Sequence, residues 1–374
     1  SSSNSNTRVI QFGTGNITIT GSGVPWAVQT ATGLTYTGSR TVNISNPTTS
    51  SVTIFQASTA GGSSTTALDF NITTGTYTLT FGTGTFGPFI RNLNFTGFTG
   101  TFAAGGHTIY GNITLATGMT YASGVALTLT GGVAQTLISA GKTVNSITLA
   151  TTGTTLTLGD TFSQATTSTT TVGASTVIDL NAQTNTFGIV SASFASTFWT
   201  GGTIVITSIT QTGGTVAFPV SNLTYNNGPY TLTSGTLDLT SASLTCTTFT
   251  SNNTNTRAIT FGANKITTTG TGTVFSMTSI ANFSYTGSGL IEVNNNTANT
   301  TSISPSSAST EAQALNFNII NGTYALSTTT NAVFKSLNFT GFAGTLNGTS
   351  RTIYGNLTFS TGMTITAGTQ NVSV

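Results

Sequence analysis

The stretch LNFTGFTGTFAAGGHTIYGNITLATGM, Leu93 to Met119, returns near the end of the chain as LNFTGFAGTLNGTSRTIYGNLTFSTGM, Leu337 to Met363. Repetition at a fixed long interval is the first thing to settle in any chain, because it sets the unit of folding. Working outward, TRVIQFG (Thr7–Gly13) matches TRAITFG (Thr256–Gly262) at an offset of 249. ALDFNITTGTY (Ala67–Tyr77) matches ALNFNIINGTY (Ala314–Tyr324) at 247, and LNFTGF and TIYGN match at 244. The drift reads as short deletions between the repeated phrases. The unit is therefore about 245–249 residues, and the 374 residues hold about one and a half of them. Residues 1–124 form a first copy, 125–249 an intervening segment seen once, and 250–374 a second copy. The chain opens with SSSNSNTR and closes in NVSV mid-pattern, as expected for a window on one continuous rod cut from a longer tandem array.

Within each unit runs a shorter rhythm. A small polar residue stands beside alternating apolar ones in ALDFNI at 67, NLNFTG at 92, GNITLA at 111 and NSITLA at 145. The same pattern returns in SNLTYN at 221, ANFSYT at 281, ALNFNI at 314, SLNFTG at 336 and GNLTFS at 355. Spacings run from 19 to 34 residues, apart from wide gaps between 145 and 221 and between 221 and 281. Between these anchors lie short period-two segments such as NITIT, ALTLT and TLDLT, punctuated by glycine. Alternation of apolar residues with threonine gives a strand one buried face and one wet face. Short strands recurring every 20–30 residues predict the coil of a parallel β-helix, or β-solenoid. One coil cannot bury its apolar face alone; stacked coils bury a continuous core, with Phe, Ile and Leu in inward columns and asparagine ladders at the turns. About 15 coils at ~4.8 Å would extend roughly 70 Å. β-Sandwiches or a propeller are the rival folds, and Asn-Gly at 227, 321 and 347 leaves hairpins open.

Composition narrows function more than it defines it. Charged residues are 4% of the chain, against about 25% in ordinary domains. With 36% hydrophobic residues and 23 Phe the chain still builds a core, since each buried Phe or Leu contributes roughly 1.5–3 kcal/mol. Arg8, Arg40, Arg91, Lys142, Arg257, Lys265, Lys335 and Arg351 are scattered, which argues against a nucleic-acid partner. No apolar run reaches the ~18 residues of a membrane helix, and no membrane insertion is expected. The single cysteine, Cys246, reads as a buried, inert thiol. This rhythm and composition resemble those of large repetitive β-helical surface and fibre proteins of bacteria and phages, of adhesin, tail-fibre or extracellular-filament type. The resemblance implies an extracellular or virion-surface location.

The chemistry available is sparse. The carboxylates are Asp69, Asp160, Asp179, Asp238, Glu292 and Glu311. Asp160 and Asp179, 19 residues apart, form the best candidate for a stacked pair of the kind glycoside hydrolysis needs. Asp69 is matched by Asn316, which suggests a hydrogen-bonding position rather than an ionised one. His107 is the sole histidine and is matched by Arg351, an exchange expected of an exposed polar turn. One histidine and one cysteine cannot build a metal centre. Three cationic positions recur (Arg8/Arg257, Arg91/Lys335 and His107/Arg351), and hydrogen bonds to turn carbonyls are their expected role. Trp26 and Trp199 could stack on sugars. Thr-X-Thr segments, among them Thr18-Ile19-Thr20, Thr78-Leu79-Thr80, Thr128-Leu129-Thr130 and Thr155-Leu156-Thr157, raise ice binding, which irregular coils oppose. Asn-X-Ser/Thr sequons at Asn16, Asn43, Asn71, Asn94, Asn112, Asn222, Asn282, Asn338 and Asn356 follow from composition alone. The expectation is a non-enzymatic structural protein without catalytic residues, cofactor or metal, self-associating end-to-end or laterally into a fibre. The alternatives are an adhesin or tail-fibre segment that binds surface polysaccharide and, further off, a polysaccharide depolymerase centred on 125–249 or an ice-binding solenoid.

Overall fold

The computed structural model describes residues 6–28, 32–56, 67–82, 89–150, 153–173, 176–196, 199–218, 223–225, 227–305, 310–366 and 372–373. The protein is all-β, with parallel strands stacked as a β-solenoid of about 14 turns. Among the described residues the one helical element is a 3₁₀ turn at Glu311–Gln313. Every described strand pairing is parallel, including those around the Asn-Gly sites, so these dipeptides make no hairpins there. Paired residues lie from 19 apart, as in Thr101 with Thr120, to 29 apart, as in Gly23 with Val52. Contacts divide the chain into two compact units, 1–188 with 198–204 and 189–197 with 205–374. This division follows neither boundary of the sequence repeat.

In the first unit, alternation is converted directly into columns. Ile17, Val42, Phe70, Leu93, Ile113, Leu137 and Leu158 stand one above another on successive strands. A second column runs Ile90, Ile109, Leu129, Leu149 and Val172. A third runs Val52, Leu79, Phe102 and Tyr121. Except for Ile17 and Tyr121, all of these side chains are buried. The wide gap between the anchor phrases at 145 and 221 is not a gap in the fold. Strands Thr155–Leu158, Val177–Asp179 and Trp199–Thr200 continue the stack there. They keep the inward apolar residue and dispense with the neighbouring asparagine.

The second unit repeats the logic. Leu244, Ile266, Ile291, Phe317, Leu337 and Leu357 form its long column. Tyr230, Phe249 and Phe275 are in register, with rings 5.9 and 5.6 Å apart and within 13° of parallel. The stacked strands hold the rings parallel, at separations within the favourable range for offset stacking. Equivalent residues of the two copies make equivalent contacts. Trp26 packs edge-on to Phe70, and Phe275 packs edge-on to Phe317. Trp26 pairs with Ile54, and Phe275 with Ile303, so these two aromatics are structural counterparts.

Turn geometry also recurs. Gly75 and Gly322 adopt φ of +115° and +103°. A Cβ at either would run into the ring of the following tyrosine, Tyr77 or Tyr324, and a backbone carbonyl of the previous turn, Asn46 or Asn295. Both the left-handed backbone and the lack of space therefore require glycine. Gly322→Ala is expected to destabilise the second unit by roughly 3 kcal/mol, read as a drop in the urea midpoint. An unchanged midpoint would show that this corner is not under the constraint described.

Candidate functional site

The ionisable groups are positioned as fasteners. Asp160 Oδ1 and Oδ2 accept hydrogen bonds from the backbone N–H groups of Ser139 (2.7 Å) and Ala140 (2.6 Å), one turn back. Ala140 has φ +51°, so the carboxylate holds a left-handed corner that alanine does not favour. Asp179 accepts from the Asn181 N–H and Asp238 from the Thr240 N–H, each two residues on. Asn94 and Asn338 close the same turn on Thr96 and Thr340. Aspartate and asparagine are here interchangeable closers of an Asx turn. Asp179 is in register with Thr157, whereas Asp160 lies beyond that strand on the next corner. The expected stacked carboxylate pair is thus not formed. A period of 19 is shorter than the 22 residues of that turn, so the two aspartates fall at different points on it. Asp160→Ala is expected to cost about 2 kcal/mol, as charge-assisted bonds to two amides are lost, with Asp160→Asn recovering part of it. Thermal unfolding at pH 7 reads both values, and an alanine variant as stable as the parent would refute the fastening role.

Asp69 corrects a second expectation. It is ion-paired with Arg91, whose Nε donates to Oδ1 at 2.6 Å, and it also accepts from Asn92 Nδ2 at 2.7 Å. A β-bulge, in which Arg91 and Asn92 together oppose Asp69, makes room for this arrangement. In the second copy Asn316 is in register with Ser336, and its Nδ2 donates to the Ser288 carbonyl instead. The replacement by asparagine therefore changes the bonding. Glu292 pairs with Lys265 at 2.6 Å.

Of the recurrent cationic positions, Arg257, His107 and Arg351 turn inward, whereas Arg91 and Lys335 are half-buried. Arg257 is fully buried, and its guanidinium donates to the carbonyls of Asn255, Ser251, Ser279 and Ala281 and to Ser251 Oγ, at 2.7–3.1 Å. Arg8 makes the same kind of bonds to Asn6 and Thr32 from a less enclosed position. Arg351 is buried and bonds the carbonyls of Asn347 and Thr349. His107, expected at an exposed turn, is 2% exposed, with its ring centroid 4.6 Å from Phe102 and 5.6 Å from Phe81. Burial lowers its pKa to about 4, with the Ala103 backbone acting weakly in the opposite sense. Cys246 is buried and its pKa is raised to about 12 by that burial, so it is not a thiolate nucleophile at neutral pH.

Neither tryptophan is presented for sugar stacking. Trp199 is buried, and Trp26 donates its Nε1 to Gln56 Oε1 at 2.9 Å while packing on Phe70. Thr108, Thr128, Thr148 and Thr171 do form one outward column. The neighbouring outward positions, Gly106 and Ala126, do not supply the parallel second threonine column of a flat lattice. Of the sequons, Asn222 lies outside the described residues.

What the chain does present outward is a ladder of amides on the strands, where the sequence pattern suggested ladders at the turns. Asn43, Asn71 and Asn94 are in register, flanked by Thr18 and Thr114. Asn71 Nδ2 donates to Asn43 Oδ1 at 3.1 Å. Period two would have located these residues, since each neighbours an inward Val42, Phe70 or Leu93. Beside the ladder lies a groove of about 250 Å³, lined by Asp69, Asn71, Asn92, Asn94, Asn112 and Thr114 among others. The equivalent place in the second unit holds a groove of about 350 Å³ lined by Asn316, Asn318, Ser336, Asn338, Asn356 and Thr358 among others. Buried glutamines, which the sequence pattern did not single out, tie turns from within. Gln135 Nε2 donates to the Ile109 carbonyl, and Gln211 Oε1 accepts from Tyr230 at 2.7 Å. No protein-family model, no curated protein and no solved structure matches this chain.

Proposed function

We propose that this chain is a non-enzymatic structural segment of an extracellular or virion-surface fibre, assembled through self-association of solenoid turns. The observation that carries the reading is the use made of charge. Five of the six carboxylates are engaged in turn closure or ion pairing, Asp69, Asp160, Asp179, Asp238 and Glu292. Arg8, Arg257, Arg351 and Lys142 are engaged with backbone carbonyls. An electrostatic inventory committed to fastening suits a load-bearing scaffold, and a surface with so little charge offers little repulsion to packing of neighbours. Electron microscopy of native material carrying this sequence, averaged along any rod, tests the proposal. Filaments with an axial repeat matching the ~245-residue unit support it, and dispersed globules overturn it.

A further inference from the structure

We infer that the outward amide ladder is a binding site for a neutral, hydroxyl-rich polysaccharide, with an equivalent site in each unit. The inference stands independently of fibre assembly. Its first support is what the two copies keep. Asn71/Asn318, Asn94/Asn338, Asn112/Asn356 and Thr114/Thr358 are identical pairs at outward positions, where core packing imposes no choice of side chain. The first rung differs, since Glu292, paired with Lys265, stands in register with Asn318 where Asn43 stands beside Asn71, and nearby groove positions differ too, as in Asp69/Asn316 and Asn92/Ser336. Turn closure accounts for Asn94 and Asn338 in part, since one oxygen of each is used on Thr96 or Thr340. It does not account for Asn318, for which no side-chain hydrogen bond is formed among the described residues.

The second support is chemical. An amide carries a carbonyl acceptor and two N–H donors, which matches the donor-and-acceptor character of a sugar hydroxyl. Asn71 Oδ1 and Asn94 Nδ2 have no partner among the described residues and border the groove. The charge in the first groove is internally neutralised, because Asp69 is held by Arg91. The second groove is lined by amides, hydroxyls and a leucine, without a charged side chain. Nothing in either lining selects for a polyanion. The third support is spacing. Strands stacked about 4.8 Å apart offer one amide per turn at Asn43, Asn71 and Asn94 in the first unit and at Asn318 and Asn338 in the second, with Thr114 or Thr358 on the next turn. That interval approximates the length of one pyranose ring, so a glycan lying along the stack meets a fresh amide at each sugar.

The test uses the full chain in native affinity electrophoresis through gels containing dextran, mannan or a mixed-linkage β-glucan, with polygalacturonate as the charged comparison. Retardation by at least one neutral polymer, exceeding that by polygalacturonate, is expected. Asn318→Ala and the double variant Asn71→Ala/Asn318→Ala are run alongside, with circular dichroism showing the fold retained. Asn318→Ala removes a side chain without a structural partner and keeps the test interpretable if the double variant folds poorly. Retardation should weaken about tenfold in the double variant and measurably in the single one. No retardation by any of the three neutral polymers, preference for polygalacturonate, or undiminished retardation in a folded Asn318→Ala protein would each overturn the assignment.

Discussion

Replacing Arg257 with alanine is expected to lower the stability of the second unit by about 4 kcal/mol, the largest loss for any single side chain considered. Five hydrogen bonds from one guanidinium tie the carbonyls of Asn255, Ser251, Ser279 and Ala281 and the Ser251 hydroxyl together, across two successive turns. Without it the buried Ser251 carbonyl and hydroxyl lose this donor, and the partly buried bonds to Asn255, Ser279 and Ala281 are lost with it. The guanidinium carbon also sits 5.7 Å from the centre of the Phe283 ring, a cation–π contact that alanine removes. Lysine keeps the charge but not the planar fork, so Arg257→Lys should recover no more than about half of the loss. A solenoid opens locally, because each turn touches only its neighbours. Amide hydrogen exchange at residues 251–283 is therefore the sharpest measurement. Protection unchanged in Arg257→Ala would show that these carbonyls find other partners and that the arginine is dispensable.

The second large effect is on pH dependence. His107 has a folded pKa near 4, set by burial, against about 6.5 for the exposed side chain. Between these values the unfolded chain binds a proton that the folded chain refuses. Stability is therefore fully present above about pH 6.5, falls as pH drops toward 4, and is flat below for this group. The loss over the window is roughly 3 kcal/mol. His107→Leu places an apolar side chain next to Leu127, its register partner, and should abolish the loss while leaving stability at pH 7 similar. Melting temperatures at pH 7.0 and 4.5 for both proteins decide it. A parent that melts at the same temperature at both pH values would mean the imidazole reaches water when protonated.

The fold was legible because alternation was. Segments such as NITIT and TLDLT specify one inward and one outward face with no further information. The same rule, applied to polar residues, would also have placed the cations. Arg257 stands two before Ile259 and four before Phe261, so it shares their inward face. His107 stands two before Ile109, and Arg351 two before Ile353. Reading a His-to-Arg exchange as surface variation overlooked this parity. A buried histidine among aromatic rings and a buried arginine among carbonyls are different solutions to the same inward position. The bulge at Asp69 was not legible, because it depends on the register between two strands rather than on either strand alone. The amide ladder was half legible. Asparagine beside alternating apolar residues was visible, but its place on the outward face of the strand follows only from parity, and its grouping into a groove from the length of each turn.

The drift in offset between the copies, from 249 to 244, means that five residues have been lost along the second copy relative to the first. The rungs on either side of the lost residues are nevertheless in the same order and pairing. Val42, Phe70 and Leu93 follow one another in the first copy just as Ile291, Phe317 and Leu337 do in the second. The difference in length between the copies falls between these rungs, since an uncompensated one-residue slip inside a strand would turn its core face to solvent. The architecture therefore counts in whole turns and tolerates differences in the length of its corners. Evolution, or an engineer inserting a peptide, can lengthen a corner without moving the core, but can extend the molecule only by an integer number of turns.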